Sequence, residues 1–188
     1  MRLGIIAEDD SDVSVVAEIT LALLRPRQIG FNKFVGHGSG KLRRKCAAWA
    51  DILVRQGCPW IVVVHDLDKH NEKSLRADLT NSVNPAGANA SVILIPRQEI
   101  EAWLLYDSAA IAIAFRERQR LRLPGNPEAL PDPKAYLKRL VWKAYRKQYI
   151  NTLHNSLIAR RVDVATLRRS ASFSPHFAFV RTVREMLA

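Results

Sequence analysis

The chain has 188 residues, of which 48% are hydrophobic and 25% are charged, a balance that fits one globular domain with a sizeable core, with or without a small appended subdomain. No apolar run approaches the roughly 20 residues needed to cross a bilayer, and the first residues form a strand pattern instead of a signal peptide, so no membrane partner is predicted. Cys46 and Cys58 lack the spacing of a zinc site and are predicted to be free thiols in a reducing cytoplasm.

Strands and helices alternate over the first hundred residues. Short apolar runs predict strands at residues 3–7, 60–64 and 91–95, and residues 31–35 also have the pattern of a strand. Helical spacing predicts helices at residues 12–24, 41–56, 72–83 and 98–106. Ser11 or Asp12 is the predicted N-cap of the first helix and Pro26 ends it, and Asn84-Pro85 ends the third. Strands that are separated by helices of this length predict an α/β fold, with a parallel sheet of about four strands sandwiched by helices.

The remainder of the chain has a different pattern. Proline and glycine are grouped at residues 123–133, and helices are then predicted at residues 134–149, 155–161, 164–169 and 175–187. We therefore predict two parts: an α/β domain of residues 1–108, and a basic helical extension of residues 109–188 that packs on it.

The formal net charge of +11 indicates a polyanionic partner, and nucleic acid is the predicted one. A basic, solvated surface without a ligand is the alternative. Most of the clustered basic residues lie in the second half: Arg116, Arg118, Arg120 and Arg122; Lys134, Lys138, Arg139, Lys143, Arg146 and Lys147; and Arg160, Arg161, Arg168 and Arg169. The candidate nucleic-acid contacts are Lys41, Arg97, Lys138, Lys143, Arg146 and Lys147.

Acidic residues follow two of the predicted strands. Glu8 follows the first strand, and Asp66 and Asp68 follow the third. The carboxyl ends of parallel strands meet at one edge of a sheet, where open α/β folds bind their ligands. Crowded carboxylates repel one another unless a cation lies between them, and oxygen-only ligands suit Mg²⁺ or Mn²⁺. These three residues are therefore candidate catalytic and metal-binding residues, whereas for Asp10 and Asp12 helix capping is an equal alternative.

Two further acidic residues follow the fourth strand. Glu99 and Glu101 would lie in the first turn of the predicted helix of residues 98–106, where the helix dipole favours negative charge. That turn also emerges at the carboxyl edge, so either residue could instead complete a second metal position.

Weaker signals remain open or are rejected. Residues 36–41, Gly-His-Gly-Ser-Gly-Lys, are one residue short of a phosphate-binding P-loop and lack its Ser or Thr, so ATP binding is not predicted. His65 and His70 could contact substrate or tune a metal, or could simply be packing residues. Trp142 and Tyr145 lie among basic residues, where base stacking is the alternative to filling the core.

The chain resembles the TOPRIM domain in three features: the Glu-bearing first strand, Asp66-Leu67-Asp68 after a hydrophobic strand, and the gap of roughly 60 residues between them. TOPRIM is the metal-binding fold of topoisomerases, primases and OLD-type nucleases. The segment of residues 98–104 is similar to the small TOPRIM-like bacterial proteins of the DUF4276 group, akin to RloB-type proteins. Residues 134–147 and 170–177 are similar to the tail of that group.

The resemblance implies that Glu8 is the catalytic acid or base and that Asp66 and Asp68 are Mg²⁺ ligands. It predicts a metal-dependent nuclease or related phosphodiester-processing enzyme, in a bacterial defence or mobile-element setting. Asp9 departs from the pattern, because TOPRIM domains usually have Gly after the Glu. The alternative is a non-catalytic module that binds nucleic acid or a partner ATPase. A phospho-acceptor receiver domain agrees less well with the sequence, because that fold requires a fifth strand that bears a Lys and the sequence has no clear candidate for it.

Overall fold

The computed structural model describes residues 1–24 and 29–187, and its sheet confirms the predicted α/β class. Four parallel strands, β1 (Arg2–Ala7), β2 (Gly30–Val35), β3 (Trp60–Val64) and β4 (Ala90–Leu94), are arranged in the order β2-β1-β3-β4. The two central strands are the most apolar, and every residue of β3 is buried. Their burial on both faces explains why they lack the polar alternation of a half-exposed strand.

The register of the sheet brings the two acidic strand ends together. Ile6 of β1 is paired with Val63 of β3, so Glu8 and His65 follow their strands at the same level. The strand register alone therefore brings the next residue, Asp66, beside Glu8.

Eight α-helices are present in the described part of the chain. They are α1 (Asp10–Leu24), α2 (Ser39–Arg55), α3 (Glu72–Val83), α4 (Glu101–Leu104), α5 (Ser108–Ala114), α6 (Pro133–Tyr145), α7 (Asn151–Ala159) and α8 (Ser174–Met186). Short 3₁₀ turns occur at Asn84–Ala86, Pro127–Ala129 and Thr166–Arg169. No helix among residues 1–24 and 29–187 is long and apolar enough to span a membrane.

The helices form a layer on each face of the sheet. One hydrophobic core joins α2 and α3 to the sheet, and there Cys46 and Cys58 are buried as free thiols. The larger core joins α1 and α4–α8 to the other face, with Trp103 and Phe173 fully buried at its centre. Burial of this apolar surface holds the C-terminal helices on the α/β domain.

The structure corrects several predicted element boundaries. The predicted helix of residues 98–106 is reduced to α4, because Gln98 has a φ of 62° and residues 98–100 form a turn. Helix α6 ends four residues early, where Arg146 adopts a φ of 56°. Helix α5 was not predicted; its N-cap, Asp107, accepts hydrogen bonds from Ala109 and Ala110. The predicted helix end at Pro26 lies outside the described residues.

Candidate functional site

The carboxyl ends of β1 and β3 are joined by a hydrogen bond at the sheet edge. The backbone N–H of Asp66 donates to Oε1 of Glu8 at 3.0 Å. Nδ1 of His65 lies 3.0 Å from the same Glu8 oxygen and 2.7 Å from the carbonyl oxygen of Asp66. Two of the predicted catalytic residues, Glu8 and Asp66, are therefore adjacent in the folded chain.

Asp9 and Asp12 form a reciprocal cap at the start of α1. Oδ1 of Asp9 accepts hydrogen bonds from the backbone N–H groups of Ser11 (2.7 Å) and Asp12 (3.1 Å), while Oδ2 of Asp12 accepts from the N–H of Asp9 at 3.1 Å. The N-cap predicted at Ser11 or Asp12 is thus wrong, because Asp9 supplies it. This also gives Asp9 a structural role at the position where TOPRIM domains usually have Gly.

Asp12 is nevertheless part of the acidic site. Only 4% of Asp12 is exposed, and its pKa is raised well above its usual range by burial and then by the charge of Asp9. Glu101 and Glu8 add to the repulsion. The sequence allows Asp12 either a capping or a catalytic role. In the structure its carboxylate both accepts the Asp9 N–H at the start of α1 and lies among the acidic residues of the site.

Asp66 has the least satisfied carboxylate of the site. Its Oδ1 is buried and has no hydrogen-bond partner among the described residues. Burial raises the pKa of Asp66 well above its usual range, and the charges of Asp12, Glu8 and Glu101 raise it further. Such a group is stabilised either by a proton or by a cation that bridges it to its neighbours.

Glu8 has an environment that suits proton transfer near neutral pH. Burial raises its pKa to about 7, against the opposing hydrogen bond from Asp66. Asp68 and Asp9 raise it further, and Lys134 lowers it. A carboxyl group with a pKa near the working pH can both accept and return a proton.

Asp68 differs from the other two predicted catalytic residues. It is exposed and has a φ of 45°, in the turn that follows Asp66 and Leu67. His37 and Gln98, in the turns after β2 and β4, also have positive φ values, of 51° and 62°. Backbone strain in non-glycine residues is concentrated at functional sites, and here it is found in three neighbouring turns of the carboxyl edge.

His65 was left open between a packing and a functional role. It is fully buried, and burial lowers its pKa, so the ring is neutral at pH 7. A neutral ring with its proton on Nδ1 donates to the carbonyl of Asp66 at 2.7 Å, and the same nitrogen lies 3.0 Å from Oε1 of Glu8. His65 therefore lies against Glu8 and holds the backbone of Asp66, and its position directly before Asp66 was the sequence signal for that role.

Glu101 is held by residues of the C-terminal helices. It is 1% exposed, and its Oε1 lies 2.9 Å from the hydroxyl of Tyr149 and 3.1 Å from Nδ2 of Asn155. Nδ2 of Asn155 also lies 3.4 Å from Oγ of Ser11, which links this network to the start of α1. Burial raises the pKa of Glu101, and the ammonium group of Lys134 opposes that rise. Nothing in the sequence around Tyr149 or Asn155 indicated these contacts.

Lys134 supplies the positive charge at this side of the site. Its Nζ lies 3.3 Å from Oε1 of Glu99 and 3.9 Å from Oε1 of Glu101, and these charges raise its pKa. Its backbone N–H also donates to Oε2 of Glu99 at 2.9 Å. Glu99 therefore holds the first turn of α6 by accepting the Lys134 N–H. The ammonium group of Lys134 lies beside Glu99 and Glu101, the two residues that the sequence allows as ligands of a second metal ion.

The predicted nucleic-acid contacts are in different surroundings. Lys147 is paired with Glu117 at 2.7 Å and donates to the carbonyl of Phe115, and Arg97 is paired with Glu72 at 3.2 Å. The other four are exposed without an ion pair in the described part of the chain: Lys41, Lys138, Lys143 and Arg146.

The donor set fits Mg²⁺ or Mn²⁺ in kind. Among the described residues no three His, Cys, Asp or Glu side chains are arranged to hold one ion together. Mg²⁺, however, commonly keeps several waters and takes only one or two protein carboxylates. The free Oδ1 of Asp66, with Glu8 and Asp12 close by, provides such a partial oxygen site.

Comparison with known proteins assigns the chain to a family. The model of DUF4276, a domain of unknown function, matches residues 41–181. The chain belongs to the DUF4276 family. The matched region includes Asp66, Asp68, Glu99, Glu101 and Lys134, whereas Glu8 precedes it. Neither the curated proteins nor the solved structures gave a significant match.

The raised pKa of Glu8 predicts how the stability of this protein depends on pH. Its pKa is higher in the folded protein (about 7) than the ordinary value of 4.5, so the folded state binds more protons between these two values. Without metal, the free energy of unfolding should therefore fall as pH rises from about 4.5 to about 7, by on the order of 3 kcal/mol from Glu8. Urea unfolding in EDTA across this range measures the effect.

The matched variants for this measurement are Glu8→Gln and Glu185→Gln. Glutamine keeps an oxygen that accepts the Asp66 N–H but does not titrate, so Glu8→Gln should flatten the pH profile. Glu185 is 70% exposed and lies on α8, and its change should leave the profile as it is. An equally steep profile in Glu8→Gln would contradict the assignment.

Proposed function

We propose that this chain is a Mg²⁺- or Mn²⁺-dependent enzyme that cleaves phosphodiester bonds of nucleic acid, as the TOPRIM resemblance implies. The observation that carries the proposal is the buried, unpartnered Oδ1 of Asp66 beside Glu8 at the carboxyl edge of the sheet. A protein that did not bind a cation would gain stability by pairing or removing that oxygen.

In this proposal Asp66 and Asp68 would hold the metal, and Asp12 would add negative charge behind them. The metal, when bound, supplies charge neutralisation at the phosphate and lowers the pKa of water. Glu8 accepts a proton from the attacking water, and the backbone N–H of Asp66, whose carbonyl His65 holds, keeps the Glu8 carboxylate in place. Burial of this group of side chains limits the water that would screen their charges.

The excess of basic residues supports nucleic acid as the substrate class. The net charge is +11 although at least five carboxylates gather at the site, so basic residues outnumber acidic ones even more strongly in the rest of the chain. A surface of this kind concentrates a polyanion around a site that would otherwise repel it.

The test combines metal titration with a cleavage assay. Calorimetry with Mg²⁺ and Mn²⁺ is expected to show binding to the wild type that is lost in Asp66→Ala/Asp68→Ala. Nicking of supercoiled plasmid and cleavage of labelled single strands should disappear in the same variant. Asp51→Ala/Glu185→Ala, which removes two exposed carboxylates elsewhere, is the matched control. The proposal fails if the wild type binds neither ion, or if the Asp66/Asp68 variant still cleaves.

The alternative is a non-catalytic module that binds nucleic acid or a partner ATPase. The observation that favours it is Lys134, whose ammonium pairs with Glu99 and approaches Glu101 and so replaces a second ion with an internal cation. If the wild-type protein bound metal but cleaved no nucleic acid in the absence of a partner, this alternative would be supported.

A further inference from the structure

We infer that the exposed face of α6 binds single-stranded nucleic acid, with Trp142 as the residue on which a base stacks, and that it leads the strand to the acidic site. The inference rests on the proposed function, whose substrate class it narrows. We call the exposed side chains Lys138, Arg139, Trp142, Lys143 and Arg146 the α6 surface.

Trp142 is the exception among the tryptophans of the chain. Trp103 is fully buried, Trp60 is 6% exposed, and Trp49 stacks on Phe34 at 5.3 Å between ring centroids. Trp142 is 55% exposed, although α6 packs its opposite face, Leu137 and Val141, into the core. The core therefore does not explain an indole at this position, whereas a π-surface open to solvent can stack with a base.

The charges around Trp142 are all positive and unneutralised. Lys138, Arg139, Lys143 and Arg146 are exposed and make no ion pair with any described residue. The basic residues at the two ends of this region are neutralised, because Lys134 pairs with Glu99 at 3.3 Å and Lys147 pairs with Glu117 at 2.7 Å. Helix α6 contains no acidic residue, so its cations are available to phosphates.

The positions along the helix connect this surface to the acidic site. Lys134, Lys138, Trp142 and Arg146 follow one another at intervals of four residues and so lie in one row along the helix. Lys134 begins the row and lies 3.3 Å from Glu99. At 1.5 Å per residue, Trp142 is about 12 Å further along the helix axis. A strand bound along this row would reach the carboxylates within a few nucleotides.

The alternation of cations with an aromatic ring selects single strands. A duplex hides the faces of its bases and presents mainly phosphates, so it would use the cations but not the indole. A single strand offers both a phosphate for each cation and an unstacked base for Trp142. The same chemistry is found in single-stranded DNA and RNA, and the test therefore includes both.

The experiment measures binding of labelled strands in EDTA, so that it does not depend on metal or on cleavage. The probes are oligothymidine and oligouridine of about 16 nucleotides, and a duplex of the same length, followed by fluorescence anisotropy. Trp142→Ala should weaken single-strand binding about tenfold, and Trp142→Phe should restore most of it. Lys138→Gln/Lys143→Gln should lower the slope of log K against log salt by about 1.4.

The matched control is Arg2→Gln/Arg55→Gln, which removes two exposed cations near the opposite edge of the sheet and should change the affinity little. Dependence on Trp142 for either polymer supports the inference and identifies the one preferred. It is overturned if Trp142→Ala binds like the wild type, or if the duplex binds as tightly as single strands. Since binding is measured without metal, loss of plasmid nicking alone would refute the proposed catalysis and leave this surface standing.

Discussion

Asp66→Asn is expected to abolish metal-dependent cleavage and, at the same time, to stabilise the metal-free protein. The substitution removes one negative charge from a buried group that includes Asp12, Glu8 and Glu101, whose repulsion raises the pKa of Asp66. The new amide can donate a hydrogen bond to a neighbouring carboxylate. At pH 7 in EDTA we expect the free energy of unfolding to rise by about 1–2 kcal/mol, or a few degrees in melting temperature.

Magnesium should reverse the order of stability of the wild type and Asp66→Asn. Mg²⁺ stabilises whatever folded protein binds it, so the melting temperature of the wild type should rise with added Mg²⁺ and that of Asp66→Asn should not. Asp51→Asn, a change of the same type on the exposed face of α2, should behave like the wild type. If Asp66→Asn were less stable than the wild type in EDTA, the carboxylate would have an internal partner and the proposed cation site would be refuted.

Lys134→Met is expected to lower the free energy of unfolding by about 2 kcal/mol at pH 7. The change leaves Glu101 buried beside Tyr149 and Asn155 without its cation, and loss of one partner of a buried pair is costly. The Lys134 side chain is 37% exposed, and water screens part of the interaction, so we expect the lower end of the usual range of such losses. Because Lys134 lowers the pKa values of Glu8 and Glu101, the loss should shrink at acidic pH, where both carboxyls are protonated.

A double-mutant cycle separates this charge effect from lost packing. Glu101→Gln removes the charge that Lys134 neutralises, so Lys134→Met should cost less in the Glu101→Gln background than in the wild type. Lys138→Met, one turn further along α6 and exposed, is the matched control and should have little effect on stability. Equal costs in both backgrounds would show that the contribution of Lys134 to stability does not depend on the charge of Glu101.

Lys134 also shows how the helical extension takes part in the site. Helix α6 contributes the cation, Tyr149 follows that helix, and Asn155 lies on α7, so all three contacts of Glu101 come from beyond residue 108. The predicted boundary between an α/β domain and an extension therefore runs through the candidate site. The extension could not be removed without exposing Glu101 and the buried surface around it.

The sequence by itself determined the sheet and the position of the acidic residues along it. Apolar runs gave β3 its observed bounds and placed β1 and β4 to within one residue, and the strand pattern of residues 31–35 did the same for the edge strand β2. The central strands β1 and β3 need a nearly unbroken set of apolar side chains because they are buried on both faces. The carboxyl-edge location of Glu8 and Asp66 follows from parallel pairing alone. Helix ends that depend on a local signal were also predictable, and Asn84-Pro85 ends α3 as expected.

Only the tertiary structure decided which side chains share the site and in what state. Asp9 rather than Ser11 or Asp12 caps α1, because the choice within the polar run of residues 9–12 depends on the direction of the chain leaving β1. The turn at Gln98 makes the helix shorter than predicted, and it places the Glu99 carboxylate against the first turn of α6, where it accepts the Lys134 N–H. Contacts of this kind join residues far apart in the sequence, as do Asn155 and Ser11, which are 144 positions apart. Sequence periodicity reports the neighbours along one helix or strand, whereas burial, charge repulsion and pKa depend on neighbours that only packing brings together.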